Sequence, residues 1–259
     1  MSAFIAALPM YDWPERREEV DAEWAAIRAG LLAQGIDVPQ LLTRRNADMP
    51  PVPGGIRDAA GRVIAPDPAS LPPDELDFHT LWRHPALVFA QTCWGPLEKT
   101  GLAQHVRVIG QPDYSAFEGG QGEFYRSALV MRRADAARRI PPEGGEARLP
   151  GQLTGLRFAF NEPHSMSGYL CVQRDLEAQG VRDFAGFWAG MLATGSHRAS
   201  IQAVADGRAD IAAIDCRTWA IAQRFEPAAN LLDPKGWTNL RKGLPFIQAN
   251  LFKQQRKKV

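Results

Sequence analysis

Short apolar runs alternate with amphipathic stretches along the chain, and this alternation predicts an α/β architecture. The first apolar run, residues 4–8, predicts a strand, and residues 15–34 predict a helix. One stripe of that helix carries its apolar positions at helical spacing: Val20, Trp24, Ile27 and Leu31. Gly35 predicts the end of the helix, because glycine readily adopts the left-handed capping conformation.

The same pattern places the remaining elements. Strands are predicted at 41–43, 86–91, 105–109, 125–132, 155–160 and 210–214, with a final short strand or turn at 244–247. Helices are predicted at 76–83, 165–178, 201–206 and 218–224, with a brief helix starting over 134–137 and a helix or apolar segment at 185–192. Between them, 46–73 reads as a surface excursion, 92–96 as a turn, 110–122 as a crossover and 141–150 as a loop.

Composition excludes some classes of function. A chain of 259 residues is long enough for two modest domains. Its formal net charge of +1 provides no large field for attracting nucleic acid or an acidic membrane surface. The basic run at 253–258 predicts a solvated tail in preference to a nucleic-acid-binding arm.

Targeting and redox signals are sparse. The chain has no apolar stretch long enough to cross a bilayer, and its first residues do not read as a secretory leader. The cysteines are Cys93, Cys171 and Cys216, and their spacing matches no zinc pattern, so no metal and no cofactor is expected. Reduced, partly buried thiols are the main expectation, and a bridge between Cys93 and Cys216 is the alternative.

The strongest local motif follows the strand at 155–160. Ser165 predicts a helix N-cap, Gly168 permits close approach to the backbone, and Ser167 adds a second hydroxyl. Unpaired N–H groups and partial positive charge at a helix start favour anions, so the segment predicts an anion cradle. Ser165 acting only as a helix cap is the alternative interpretation.

A second motif lies between residues 194 and 215. Gly195 and Ser196 open a helix with His197 in its first turn, and Asp215 follows a short buried strand. Ligands of open α/β sheets bind beyond the carboxyl ends of strands, which suggests that His197 and Asp215 contact a ligand. The alternatives are a surface histidine and a carboxylate that caps the next helix.

Aromatic residues follow several predicted strands. Tyr11 and Trp94 follow predicted strands, whereas Tyr125 and Ser127 follow the predicted crossover, and the three aromatic residues are candidates for the wall of a ligand cleft. Each of these aromatic residues could equally belong to an ordinary core or rim.

Three of these segments together resemble one family. Residues 6–12, 160–169 and 195–215 are similar to the substrate-binding proteins of phosphonate/phosphate-type ABC transporters, with weaker similarity at 91–93 and 125–127. The serine-x-serine-glycine turn followed by glycine-serine-histidine carries the resemblance.

The resemblance implies a fold and its division. It implies an α/β, two-lobed type II periplasmic-binding-protein-like fold, with a central cleft and two hinge crossovers. On that fold, residues 1–110 together with 216–259 form one lobe, and residues 111–215 form the other. Hinge closure over the ligand is the implied mechanism.

It also implies roles for the site residues. Ser165, the backbone N–H of Met166, and Ser167 would hold an anionic head, while His197 and Asp215 would help to close the site.

The other candidates have less central roles in the same picture. Tyr11 or Trp94 would line the opposing lobe, and Tyr125 and Ser127 would add weaker contacts.

The implied function is non-enzymatic capture of a small anion such as phosphonate or phosphate for the permease of an ABC importer, by a monomer that does not insert into the membrane. The family location is periplasmic, and a cytoplasmic location stays open because no leader is apparent. The alternatives are an intracellular ligand sensor and an enzyme. The enzyme would use Ser165 or Ser167 with His197 and Asp215, or Cys93 or Cys216 with His197.

Overall fold

The computed structural model describes residues 4–135, 138–143, 147–149 and 153–250, and strands and helices alternate along them. The strands are β1 (Ile5–Ala7), β2 (Ile56–Arg57), β3 (Val63–Ala65), β4 (Leu87–Gln91), β5 (Val106–Gly110), β6 (Gly120–Gln121), β7 (Phe124–Tyr125), β8 (Ser127–Arg132), β9 (Arg157–Phe160), β10 (Gly190–Ala193), β11 (Ile211–Asp215), β12 (Leu232–Trp237), β13 (Arg241–Lys242) and β14 (Phe246–Ala249). The α-helices are α1 (Arg17–Ala33), α2 (Phe78–Arg83), α3 (Trp94–Lys99), α4 (Cys171–Ala178), α5 (Phe184–Phe187), α6 (His197–Ala205) and α7 (Cys216–Phe225). The predicted α/β architecture is confirmed.

The described residues divide into two compact units. The first contains those of Met1–Thr92, Pro96–Gln111 and Leu244–Val259, and the second contains Cys93–Gly95 and those of Pro112–Gly243. No helix among the described residues is both long enough and apolar enough to span a membrane.

The first unit is built on a sheet with strand order β1-β4-β14-β5. Strands β1 and β4 run parallel, and β14 pairs antiparallel with both β4 and β5. Helix α1 packs its predicted stripe against this sheet, with Val20 and Trp24 buried and Ile27 and Leu31 partly buried in the same cluster. Gly35 follows with a φ of 71°, as its predicted capping role requires.

The second unit is built on a sheet with strand order β10-β9-β11-β8-β12. Strand β9 runs parallel to β10 and β11, while β8 pairs antiparallel with β11 and β12. Phe158 of β9 stacks on Trp188 with ring centroids 4.7 Å apart, within a buried cluster beside α4. The carboxyl ends of β9 and β11 therefore lie together, and the predicted polar residues follow both of them.

Several predicted elements differ from the structure. Residues 41–43 form no strand; Leu41 is 75% exposed, and the Thr43 N–H alone reaches the β1 backbone, at Ala6 O. The predicted turn at 92–96 contains the start of α3. Residues 185–192, predicted as a helix or apolar segment, include the end of α5 and the start of β10.

The unit boundary also differs from the predicted one for residues 216–243. The prediction places these residues in the first lobe, whereas the structure groups them with the second unit. Strand β12 pairs along β8, and α7 follows directly on β11, so both elements complete the second sheet. The end of the brief helix predicted at 134–137, much of the loop predicted at 141–150 and the basic tail at 253–258 lie outside the described residues.

A charged cluster fixes the start of β9 to the start of β11. The Asp210 carboxylate accepts hydrogen bonds from the Arg157 backbone N–H at 2.9 Å and from the Arg157 and Arg132 guanidinium groups. The Arg157 side chain is the largest cause that holds the pKa of Asp210 far below its ordinary value, and Arg132 adds to it. The ionised carboxylate is thus stabilised by folding.

Asp210→Asn is expected to lower the free energy of unfolding at neutral pH by about 2 kcal/mol, since hydrogen bonds to a charged group are lost. The folded-state pKa lies below the unfolded value of about 4, so this stabilisation is complete above pH 4 and is lost as the pH falls toward the folded pKa. Urea unfolding at several pH values measures the difference. Asp206→Asn, at a side chain 63% exposed, is the control, and an equally small effect of both variants would contradict the prediction.

Candidate functional site

The helix start after β9 is organised by Ser165. Ser165 has extended backbone angles and its Oγ accepts a hydrogen bond from Gly168 N at 3.0 Å, which makes it the predicted N-cap. A π-helical turn, Met166–Leu170, leads from it into α4. A Cβ on Gly168 would overlap Asn161 Oδ1 and lie 3.3 Å from His197 Cε1, so the close packing here needs glycine.

The predicted serine and histidine residues lie in direct contact. Ser167 Oγ is 2.8 Å from His197 Nε2 and 3.4 Å from Ser165 Oγ. His197 is the first residue of α6, and Ser196 caps that helix by accepting from Ala199 N at 3.1 Å. Two capped helix starts therefore bring these side chains together in the second unit.

Asp215 lies close to His197. It lies at the end of β11, and its Oδ2 is 3.6 Å from His197 Nε2. Its Oδ1 accepts from Thr218 N at 2.9 Å, so the capping role considered from the sequence is also present. The residue is 1% exposed, which places a carboxylate beside the histidine without free access to water.

His197 is expected to be neutral near neutral pH. Burial lowers the pKa of His197, and the Asp215 carboxylate opposes that shift with a smaller effect. A carboxylate can only accept, so the tautomer with its proton on Nε2 allows one N–H to face both Asp215 Oδ2 and Ser167 Oγ.

The hydrogen bonds leave the two serine hydroxyl protons available. Ser165 Oγ accepts from Gly168 N, and Ser167 Oγ accepts from His197 Nε2 in the tautomer described above. Each hydroxyl can still donate its own proton, and the oxygens are 3.4 Å apart. Such a pair of donors suits two oxygens of one oxyanion.

Ser127 has a supporting position. It is fully buried, and its Oγ donates to the Ser167 backbone oxygen at 2.8 Å. Ser127 also pairs in register with Asp215 across β8 and β11. Its hydroxyl proton is thus used to hold the helix start.

The backbone N–H of Met166, which was expected to bind the ligand, already donates to another protein atom. Met166 N donates to the Cys93 sulfur at 3.3 Å, so this N–H is not free for a ligand. Burial raises the pKa of the Cys93 thiol, while backbone N–H groups of Gly95, Met166 and Ser167 lower it. The sulfur of Cys93 therefore sits where the helix start would favour an anion.

Tyr125 has an unsatisfied hydroxyl. The residue is 1% exposed, and among the described residues its OH has no hydrogen-bond partner. Burial first, then Cys93, Cys171 and Asp215, raise the pKa of Tyr125 well above its ordinary value. The phenol stays protonated and can donate.

The remaining aromatic candidates fall in different units. Trp94 belongs to the second unit, the unit of the serines, and not to the opposing lobe expected for it; its Nε1 donates to Gly243 O at 2.8 Å. It packs against the buried cluster that contains Met166 and Leu170. Tyr11 lies in the first unit and is 2% exposed.

Sequence reasoning missed two residues of this region. Asn161, directly after β9, has a buried Oδ1 without a hydrogen-bond partner in the described part of the chain. Asp175 of α4 is 1% exposed and accepts from both the backbone N–H and the side-chain amide of Asn239 at 2.8 Å. The position of Asn161 at a strand end was an available signal, whereas the Asp175 contact spans 64 positions.

The cysteines are free thiols, and all are buried. Burial raises the pKa of Cys171 to about 12 and also raises the pKa of Cys216. No bridge between Cys93 and Cys216 is present. In the described ranges, no group of histidine, cysteine, aspartate and glutamate side chains is arranged to hold a metal ion.

The fold and the site can now be compared with known proteins. A binding-protein component of a phosphonate ABC transporter from Pseudomonas aeruginosa superimposes with a TM-score of 0.52 at 18% identity, covering 68% of this chain and 56% of that chain. PhnD1 from Prochlorococcus marinus, solved in complex with methylphosphonate, gives a TM-score of 0.52 at 21% identity, covering 66% of this chain and 60% of that one. At such identities the likeness shows a shared fold, that of two-lobed periplasmic binding proteins. The match spans less than two thirds of each relative's length.

A comparison with protein-family models identifies the family of the chain. The model of the phosphonate ABC transporter periplasmic substrate-binding protein matches residues 99–231, which is just over half of the chain. The chain therefore belongs to this family, and the resemblance stated from the sequence is confirmed. A search of curated proteins found no match.

Proposed function

We propose that the protein is a solute-binding protein that captures a small oxyanion, such as phosphonate or phosphate, at Ser165, Ser167 and His197. The observation that carries the proposal is the pair of serine hydroxyls. Ser165 Oγ accepts from Gly168 N, and Ser167 Oγ lies 2.8 Å from His197 Nε2, so in the Nε2–H tautomer each hydroxyl keeps its own proton for a ligand. Charge-assisted hydrogen bonds of this type contribute about 1.5–3 kcal/mol each.

The neighbours of the serines complete the proposed site. The Tyr125 phenol adds a buried donor without a partner among the described residues, and Asp215 Oδ2 lies 3.6 Å from the imidazole Nε2. Trp94, in the same unit, remains a proposed contact for the rest of the ligand, and the role of Tyr11 stays a prediction from the resemblance. The complex of PhnD1 with methylphosphonate makes this compound a suitable first probe.

The geometry argues against a serine nucleophile. In a Ser-His-Asp triad, the serine and the carboxylate meet opposite nitrogens of the imidazole. Here Ser167 Oγ and Asp215 Oδ2 both face His197 Nε2. The carboxylate therefore cannot orient the ring for proton abstraction from the serine.

A cysteine nucleophile is also disfavoured. A reactive thiol needs a lowered pKa and some exposure. Cys93 is 7% exposed and Cys216 is 1% exposed, and burial raises the pKa of both thiols. We therefore propose a binding role without catalysis.

Calorimetry with methylphosphonate, inorganic phosphate and sulfate tests the proposal. Ser165→Ala with Ser167→Ala is expected to weaken binding of the best of these ligands at least tenfold, which corresponds to about 1.4 kcal/mol. Ser115→Ala, an exposed serine of the same unit, is the control and should leave the affinity unchanged. Equal affinities of the double variant and the control would reject the proposed cradle.

Family membership further supports delivery of the ligand to an ABC transporter permease from the periplasm. Release of the protein by osmotic shock is the expected result for this location. Retention with the cytoplasmic fraction would favour the intracellular sensor.

A further inference from the structure

The first unit contains a cavity that the proposed function does not use. It has a volume of about 470 Å³ and lies beside the β2–β3 hairpin. Part of its wall is apolar, with Val52, Ile56 and Ile64. Its charged and titratable lining residues are Arg57, Asp58, Arg62, Arg83 and His105.

Arg83 brings a buried positive charge to this cavity. The residue is 6% exposed and donates to His79 O at 3.2 Å, to Thr100 O at 2.8 Å and to Thr100 Oγ1 at 3.1 Å, all neutral acceptors. No carboxylate in the described part of the chain forms an ion pair with it, and Asp77 acts on it only through space. Burial lowers the pKa of Arg83. A buried charge without an ionic partner is costly, and an anion in the cavity would compensate it.

The other arginines add to this charge. Arg57 donates to Gly61 O at 2.7 Å and to Gly54 O at 3.3 Å, so it too is bound to neutral oxygens. Arg62 pairs with Asp58 at 2.7 Å. With one aspartate against three arginines, the lining has a formal excess of two positive charges.

The pKa of His105 is affected by these charges. Burial lowers the pKa of His105, and the positive charges of Arg83 and Arg62 lower it further, while Asp58 opposes them. The imidazole and the guanidinium groups therefore act on one another within the same cavity.

We propose that this cavity is a second anion-binding site, which takes an organic oxyanion such as a phosphate or phosphonate monoester. The arginine fork matches phosphate oxygens geometrically and supplies their counter-charge. The apolar wall of Val52, Ile56 and Ile64 receives the organic group. A volume of about 470 Å³ is in the range of small-molecule sites.

Calorimetry with phenyl phosphate tests the site in the Ser165→Ala, Ser167→Ala background. Binding is expected to persist there, and adding Arg57→Gln and Arg62→Gln is expected to raise the dissociation constant at least tenfold. Arg45→Gln is the matched control, because Arg45 is an exposed arginine of the same unit with ion pairs to Asp48 and Asp74. Absence of binding in the serine background, or equal affinities of the arginine variants and the control, would overturn the proposal.

A second measurement uses the protein with all its arginines in place. Phenyl phosphate should raise the pKa of His105 in an NMR titration, because a bound anion offsets the neighbouring positive charges. An unchanged pKa at saturating ligand would contradict the site. If the serine variants bind methylphosphonate with normal affinity, the function proposed for the second unit is rejected. The comparison of the arginine variants with the control still tests anion binding in the cavity, because it does not depend on the serines.

Discussion

Asp175→Ala is expected to lower the free energy of unfolding by about 3–5 kcal/mol, the cost of removing one partner from a buried ion pair. The Asp175 carboxylate is fully buried and binds the Arg241 guanidinium together with the backbone and side-chain N–H groups of Asn239. Without it, these three donors lose their acceptor beside an Arg241 side chain that is 21% exposed. The segment after β12 then loses these hydrogen bonds to α4.

Urea unfolding followed by circular dichroism measures this effect. Glu118→Ala is the control, because the Glu118 side chain is 40% exposed and its ion pair with Arg139 is on the surface of the same unit. That change is expected to cost less than about 1 kcal/mol. Similar losses for the two variants would show that the Asp175 network is not a principal support of the second unit.

Gly95→Ala is expected to destabilise the protein by about 1–3 kcal/mol, as overpacking of a close contact does, and to weaken ligand binding. A Cβ on Gly95 would overlap the backbone oxygen of His164 and lie 3.0 Å from Met166 N. These are backbone atoms of the turn that carries Ser165, so relief of the overlap moves the site. The loss of affinity should therefore accompany the loss of stability.

Gly190→Ala provides the control within the same unit. A Cβ there would meet only the Arg157 side chain, at 4.0 Å, which is an ordinary contact. Thermal unfolding and calorimetry with methylphosphonate compare the two variants. Unaltered stability and affinity of Gly95→Ala would mean that the contact between α3 and the serine turn is easily displaced.

Local patterns were sufficient to predict most elements of the fold. Helix α1 follows from the spacing of Val20 and Trp24, and the helix start at Ser165 follows from a capping residue after an apolar strand. Strand β12 was missed because it contains Pro234 and Gly236, which are poor strand formers. Proline is tolerated there because β12 is an edge strand with an irregular register at these residues.

The site was predictable only in part. The family resemblance placed Ser167 and His197 in one site, and the structure shows that they are in direct contact. The contact of Cys93 with Met166 was not anticipated, because it joins residues 73 positions apart. No local sequence pattern indicates that the Met166 N–H, which was expected to bind the ligand, donates to a cysteine sulfur instead.

A crystal structure with methylphosphonate tests the central claim most directly. The account predicts phosphonate oxygens within about 2.5–3.0 Å of both Ser165 Oγ and Ser167 Oγ, with the His197 imidazole still bonded to Ser167. Ligand density at another place, with these two hydroxyls bonded only to protein atoms, would contradict it.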